Sequence, residues 1–252
     1  MRFLAPFLFA LVGGCATIVV SLQLDERFGP ADAGRFDRPS VASGSAPDYW
    51  QEVRPVLDQR CVSCHACYDA PCQLNLTSYA GITRGASAQT VYSGTRLLAD
   101  EPTRLNFDAL TNRDWRAKGF FPVLNERAQL PEANREGGAM YRMLAMKRAA
   151  SWPVSGVLEN RDLDFSIDRE QTCVRAAAMD DYAQRHPQRG MPFGLPPLAD
   201  AEYRTLTNWL ESGAPYSPPP ASQPVVAQQV AVWEALLNAD DKRSQLVARY
   251  IY

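Results

Sequence analysis

The stretch Cys61-Val62-Ser63-Cys64-His65 places two cysteines three positions apart and a histidine directly after the second one. This spacing is the attachment signal of a covalent c-type haem. Two thiols on one tight turn can form thioether bonds to the two vinyl groups of one porphyrin, and the next residue then lies under the ring. The sequence therefore predicts one haem c, attached through Cys61 and Cys64, with His65 as the iron ligand at the reactive centre.

A zinc site and a redox-active dithiol are the alternatives for the same stretch. A structural zinc site needs a second pair of ligands, and the chain contains only two histidines, His65 and His186. A thioredoxin-like pair is expected beside a βαβ unit, and no such pattern surrounds Cys61. The surrounding sequence favours haem attachment over both alternatives.

The composition is that of an ordinary globular protein. The chain has 252 residues, 21% of them charged and 46% hydrophobic, and its net charge is -2. This length allows one large domain or two small ones. A nearly neutral chain does not indicate nucleic acid or an acidic polymer as a partner.

An export signal occupies the N-terminus. Arg2 is followed by an uncharged, mostly apolar run over residues 3–24, as in a secretory leader. Cys15 follows two glycines and is a candidate for lipidation after cleavage. An uncleaved run of this length could span a bilayer, which takes about 20 residues. Residues 1–24 are therefore predicted to be a signal peptide, a lipoprotein signal or a membrane anchor, and the protein is expected in the periplasm.

Residues 25–45 are rich in Gly, Pro, Asp and Ser, and this composition predicts a linker. The first folded element is then a helix from Ala46 to about Gln59, capped by Ser45 or Asp48 and either kinked or delayed by Pro55. Its apolar positions share one helical face: Trp50, Val53, Val56 and Leu57. A helix that leads directly into the cysteine motif is the arrangement of cytochromes c.

Met191 lies in a loop rich in Gly and Pro, shortly before a helix that Asp200 should cap and Gly213 should end. A thioether held in such a loop can ligate the iron opposite His65, so Met191 is predicted as the second axial ligand. His186 is the competitor for this position. Three other methionines stand in a predicted helix over residues 138–148, where Met more often packs in the core: Met140, Met143 and Met146.

The remaining cysteines suggest one short disulfide. Cys67 and Cys72 lie on either side of a turn that contains Pro71, and an oxidising compartment permits a bridge between them. Cys173, in a helix predicted over residues 171–184, is then expected to be a buried free thiol.

Residues 46–216 are predicted to form a mainly α, cytochrome c-like domain with a long insertion between the haem motif and the Met191 loop. Residues 217–252 are read as a linker and the start of a further helical domain, with helices from Val226 to Asn238 and from Asp240 or Asp241 onward. Met191 lies 126 positions after His65, and insertions of this size are usually functional.

Four stretches of the chain resemble the bacterial periplasmic fatty acid cis/trans isomerases, which contain haem c. They are residues 61–74, residues 141–144, residues 186–187 together with 190–196, and residues 246–250. The resemblance implies that unsaturated fatty acids or phospholipid acyl chains are converted from cis to trans at the membrane surface. Family members are several times longer, so the chain is expected to be their haem-bearing N-terminal part.

A mono-haem cytochrome that acts only in electron transfer is the alternative to an isomerase. It would keep a permanently six-coordinate iron and bind no substrate. A membrane-anchored haem sensor is a third interpretation, but it requires an output domain that the sequence does not supply.

Overall fold

The computed structural model describes residues 22–38, 40, 44–66, 70–89, 91–93, 96–97, 103–150, 163–164, 166, 171–221 and 223–251. Three subjects of the sequence predictions lie outside these ranges: the leader up to residue 21, Cys15 and Cys67. The chain divides into two compact units, Met1–Ser217 and Pro218–Tyr252.

The described residues are mainly helical, as predicted. The α-helices are α1 (residues 22–28), α2 (Arg54–Arg60), α3 (Tyr79–Arg84), α4 (Asn112–Ala117), α5 (Pro131–Glu136), α6 (Ala139–Ala149), α7 (Met179–Arg185), α8 (Asp200–Glu211), α9 (Pro224–Leu237) and α10 (Lys242–Ile251). Two-residue strands β1 (Tyr92–Ser93) and β2 (Arg96–Leu97) pair antiparallel, with Tyr92 opposite Leu97. Short 3-10 turns cover Pro71–Gln73 and Ala176–Ala178.

A π-helical turn, Tyr49–Val53, forms the first part of the helix predicted before the cysteine motif. The Asp48 carboxylate caps this turn, as expected, by accepting from the backbone N–H groups of Trp50 and Gln51 at 2.9 and 2.8 Å. Pro55 lies in the first turn of α2, where its missing N–H leaves no hydrogen bond unmade. Proline therefore begins the regular α-helix here and does not interrupt it.

Helix α8 packs across the segment that precedes the cysteine motif. The side chains of Leu206 and Trp209 are fully buried, and the Trp209 ring lies 5.9 Å from that of Tyr49, centroid to centroid. The indole N–H of Trp209 donates to the Pro215 carbonyl at 3.0 Å. Removing a buried tryptophan costs about 3–5 kcal/mol, so Trp209 contributes strongly to holding α8 against the turn Tyr49–Val53.

The ends of α8 follow the sequence signals only in part. The N-cap is Ala199, and the Glu202 carboxylate accepts from its backbone N–H at 2.8 Å. Asp200 was predicted as the cap, but its carboxylate pairs with Arg148 instead. Gly213 follows the helix with a φ of 87°, the left-handed conformation that ends many helices.

The prediction of a linker over residues 25–45 is wrong for the first half of that range. Helix α1 ends within it, and the side chains of Phe28 and Phe36 are only 5% exposed. The backbone N–H of Asp32 donates to the Glu126 carbonyl at 2.9 Å. Two aromatic rings contribute enough buried apolar area to hold this segment on the domain, although its average composition resembles that of a linker.

Helix α6 confirms the helix predicted over residues 138–148. The helix predicted over residues 171–184 is shorter than expected, because α7 begins only at Met179 and residues 171–175 are extended or irregular. The segment before α7 therefore crosses the domain as loop, and this loop carries Cys173.

The second unit is a pair of helices. Pro224 begins α9 two residues before the predicted start. The Asp241 carboxylate accepts from the backbone N–H groups of Arg243 and Ser244 at 3.0 Å each, so it caps α10 as predicted. In the part of the chain that the structure describes, no helix has the length and apolar character needed to cross a membrane.

Candidate functional site

The cysteine motif forms one tight turn at the end of α2. The backbone N–H of Cys61 donates to the Leu57 carbonyl at 2.9 Å, which continues the helical pattern by one residue. The N–H groups of Cys64 and His65 then both donate to the Cys61 carbonyl, at 3.1 and 3.0 Å. Cys61 is half-buried and Cys64 exposed, and neither is in a disulfide. Both thiols and the imidazole are thus held on a single turn.

The imidazole of His65 is oriented by the chain that follows it. His65 is only 9% exposed, and its Nδ1 lies 3.2 Å from the Leu74 carbonyl oxygen. Burial lowers the pKa of His65, against the opposing effect of that hydrogen bond, so the ring is neutral at pH 7. A carbonyl oxygen can only accept, so Nδ1 carries the proton and Nε2 keeps its lone pair. This is the tautomer that binds a metal through Nε2.

This donor set fits a covalent haem. Burial raises the pKa of the Cys61 thiol to about 11, so the thiol is protonated at neutral pH. Two unpaired thiols on one turn match the two vinyl groups of a porphyrin, and one imidazole Nε2 matches one axial position. In the described part of the chain, no three His, Cys, Asp or Glu side chains converge to hold a metal ion.

The Met191 loop lies between α6 and the end of α2. The backbone N–H of Met191 donates to the Met143 carbonyl at 3.1 Å. At Gly190, a Cβ would lie 2.4 Å from the backbone nitrogen of Lys147, so only glycine lets the loop approach α6 this closely. The Arg60 guanidinium holds the other end of the loop, by donating to the carbonyl oxygens of Pro196 and Pro197 at 3.2 and 3.1 Å. The structure thus brings the loop next to the residue that precedes Cys61.

The competing axial ligands have packing roles in the structure. Met140 packs against the main hydrophobic core. Met143 and Met146 pack against a second cluster, formed by Val174, Met179 and Tyr182. The His186 ring lies 5.1 Å from the ring of Tyr182, centroid to centroid. These contacts agree with the expectation that the methionines at helical spacing belong to the core.

The disulfide prediction is wrong in its pairing. Cys72 is bonded to Cys173, 101 positions later in the chain, with a Cα–Cα distance of 5.5 Å. Cys72 therefore cannot pair with Cys67, and Cys173 is not a free thiol. The two residues meet because the loop before α7 crosses the domain beside the 3-10 turn Pro71–Gln73, a long-range contact that sequence spacing does not encode. An unpaired cysteine in an exported chain was the only signal for it.

Sequence reasoning also missed the turn that supports the Leu74 carbonyl. Cys72 and Gln73 both have left-handed backbone conformations, with φ of 59° and 48°. The Cys72 carbonyl accepts from the backbone N–H of Ser87 at 2.8 Å. The Gln73 carbonyl accepts from the guanidinium of Arg84. Neither residue type nor spacing marks Arg84 in the sequence.

Arg84 is a buried cation. It is 1% exposed, and its guanidinium carbon lies 5.3 and 4.9 Å from the ring centroids of Trp115 and Phe120. Burial lowers the pKa of Arg84 to about 10, which leaves the group charged at neutral pH. Its other described hydrogen bonds go to the carbonyl and hydroxyl oxygens of Thr103, both at 3.4 Å.

Comparisons with known proteins give one informative result. No curated protein and no solved structure matches the chain. A family model, described as fatty acid cis/trans isomerase, matches residues 100–252. This segment contains α4 to α10, Cys173 and the Met191 loop, whereas the cysteine motif precedes it. Because the match covers more than half of the sequence, the chain belongs to the fatty acid cis/trans isomerase family.

Proposed function

We propose that this protein carries one covalent haem c and uses it to convert cis double bonds of membrane-lipid acyl chains to trans. Membership of the isomerase family supports an isomerase that acts on fatty acyl substrates. The haem is proposed from residues outside the matched segment. A cytochrome c-like domain, in which the motif and the Met191 loop would both hold the haem, is part of the same proposal.

The observation that carries the haem proposal is the turn at Cys61, Cys64 and His65. Its two thiols are unpaired, and its imidazole has Nδ1 engaged by the Leu74 carbonyl at 3.2 Å. A histidine prepared in this way for metal binding, directly after two cysteines of haem-attachment spacing, is not explained by packing alone.

When bound, the haem supplies an iron centre that withdraws electron density from a double bond and so permits rotation about it. The protein would position this iron centre. His65 would hold the haem iron through Nε2, with its ring plane set by the Leu74 carbonyl. Met191 would be the second residue to hold the iron, through a thioether, which is a weak ligand. The buried residues Pro192 and Leu198 keep the Met191 loop on the domain.

The periplasm, at the membrane surface, is the proposed location. It is supported by Arg2 and the apolar run over residues 3–24, which together are typical of an export signal. Covalent attachment of haem to two cysteines is also an extracytoplasmic process. An isomerase of this family would have access to its lipid substrates there.

The proposal is tested with protein made in a host that has periplasmic haem-attachment machinery. The purified protein is incubated with vesicles of phospholipids that carry cis-monounsaturated chains. Trans products are then measured by gas chromatography of the fatty acid methyl esters. We expect conversion by the wild type and by His186→Ala, which changes the other histidine, and none by His65→Ala.

Conversion that survives loss of both Cys61 and Cys64 would contradict a haem-dependent mechanism. A haem-loaded protein that is reversibly reduced but converts no lipid would instead support the electron-transfer alternative.

A further inference from the structure

The turn at Cys72 and Gln73 is conformationally disfavoured. Both residues have positive φ, 59° and 48°, in a region where a Cβ crowds the backbone. Two consecutive non-glycine residues adopt such a conformation only where the surrounding structure imposes it. The contacts of this turn therefore show what it is built to hold.

Contacts from several segments impose the conformation. The disulfide ties Cys72 to Cys173. The Arg84 guanidinium donates to the Gln73 carbonyl, and the Thr103 hydroxyl donates to the Gln73 side-chain oxygen at 2.7 Å. Each of these contacts reaches the turn from a different part of the chain, so the turn is fixed by tertiary structure.

The residue that leaves this turn is Leu74, whose carbonyl oxygen lies 3.2 Å from Nδ1 of His65. A second bond joins the same two segments, because the backbone N–H of Leu76 donates to the His65 carbonyl at 2.8 Å. The direction of the Leu74 carbonyl is thus set one residue earlier, where the turn is held.

The burial of the Arg84 guanidinium is energetically costly for the few hydrogen bonds that it makes. A guanidinium at 1% exposure has lost nearly all of its hydration, and buried charges are seldom favourable for stability alone. Its described hydrogen bonds end on oxygens of Gln73 and Thr103, with Trp115 and Phe120 beside it. Arginine presents donors to two separate segments in a fixed plane, and lysine cannot reproduce this geometry.

We propose that Arg84 and the Cys72–Cys173 disulfide form a brace whose role is to position His65. The brace holds the turn that aims the Leu74 carbonyl at Nδ1, and so fixes the plane and the donor strength of the imidazole. This inference rests on the proposed function, in which His65 Nε2 binds the haem iron. Arg84 acts through Leu74 and is a positioning residue.

The test compares Arg84→Lys with Arg127→Lys in haem-loaded protein. Arg127 is the matched control, because it is also mostly buried but its side chain pairs with Asp25 at 2.7 Å, away from the turn. The readouts are the iron–histidine stretching band of the ferrous protein after photolysis of bound carbon monoxide, and the reduction potential. A histidine whose Nδ1 donates a strong hydrogen bond is a stronger iron donor.

We expect Arg84→Lys to move the stretching band to lower frequency and the reduction potential to more positive values, while Arg127→Lys matches the wild type. The double variant Cys72→Ser/Cys173→Ser and the milder Thr103→Val should shift both readouts in the same direction. If Arg84→Lys does not fold, these two variants test whether the brace positions His65.

An unchanged band and potential in the brace variants that fold and carry haem would overturn the brace and leave the proposed function intact. A wild-type polypeptide without the mass of a covalent haem would overturn the proposed function itself. The mass measurement precedes the spectroscopy, so the two failures are distinguishable.

Discussion

The His65 side and the Met191 side of the candidate site are held in different ways. His65 is followed by a turn that a disulfide, a buried arginine and several hydrogen bonds hold in place. Met191 is half-buried and lies in a loop whose contacts include a backbone hydrogen bond to Met143, the close packing of Gly190 on α6, and hydrogen bonds from Arg60 at its far end. No disulfide reaches this loop among the described residues.

The difference suggests a division of roles. In the proposed haem site, the braced histidine would keep one iron ligand constant in position and strength, whereas the thioether, in a loop that no described disulfide reaches, would be the ligand that can leave. An isomerase needs access for an alkene on one side of the iron, and an electron carrier needs neither side to open. The predictions below test this contrast from the largest expected effect to the smallest.

Loss of the attachment cysteines should have the largest effect. Cys61→Ala/Cys64→Ala removes both thioether bonds, so we expect no covalent haem by mass spectrometry and no in-gel peroxidase staining after denaturation. Cys67→Ser is the control, and it should retain the haem. A full haem mass on the double variant would show that attachment takes place elsewhere.

Removing the disulfide should destabilise the His65 side. Cys72→Ser/Cys173→Ser opens a loop of about 100 residues, and the chain-entropy model predicts a loss of about 3–5 kcal/mol in the free energy of unfolding. Equilibrium denaturation with urea measures this loss. Cys67→Ser should change the unfolding free energy by much less. Peptide mapping without reductant that finds a Cys67–Cys72 bridge would contradict the pairing in the structure.

Gly190→Ala should disturb only the Met191 side. The added Cβ would lie 2.4 Å from the Lys147 backbone nitrogen, and overpacking of this kind costs about 1–3 kcal/mol. Gly34→Ala is the control, because the nearest atom there is the flexible end of Arg113 at 3.1 Å. Haem attachment should be normal in both variants. A fully stable Gly190→Ala protein with unchanged spectra would show that the loop tolerates displacement.

Met191→Ala should have the smallest effect on stability, about 1 kcal/mol, because its side chain is only partly buried. The near-infrared sulfur-to-iron band of the oxidised protein should disappear, whereas Met140→Ala should keep it. Lipid conversion should be retained or increased if the Met191 side opens during the reaction. A band that persists in Met191→Ala would assign the ligand to another residue, with Met143, Met146 and His186 next in order.

Short-range signals in the sequence located the motif and most of the helices. The tight turn at Cys61, the helix α6 and the cap at Asp241 each depend on residues within a few positions of one another, so their physical causes are visible in the sequence. The prediction that Asp200 caps α8 was wrong, although capping depends on neighbouring residues only. The carboxylate of Asp200 pairs instead with Arg148, a residue far away in sequence.

The order of residues along the chain thus determined the chemistry that the protein can carry: two thiols and an imidazole on one turn, and a methionine in a loop rich in Gly and Pro. Three features were decided only by tertiary structure. They are the pairing of Cys72 with Cys173, the burial of Phe28 and Phe36 in the segment before residue 38, and the contact of Arg84 with the turn before Leu74. These contacts join segments far apart in sequence, and their free energy depends on how the whole chain packs. Local pattern cannot encode them, because no single segment contains both partners.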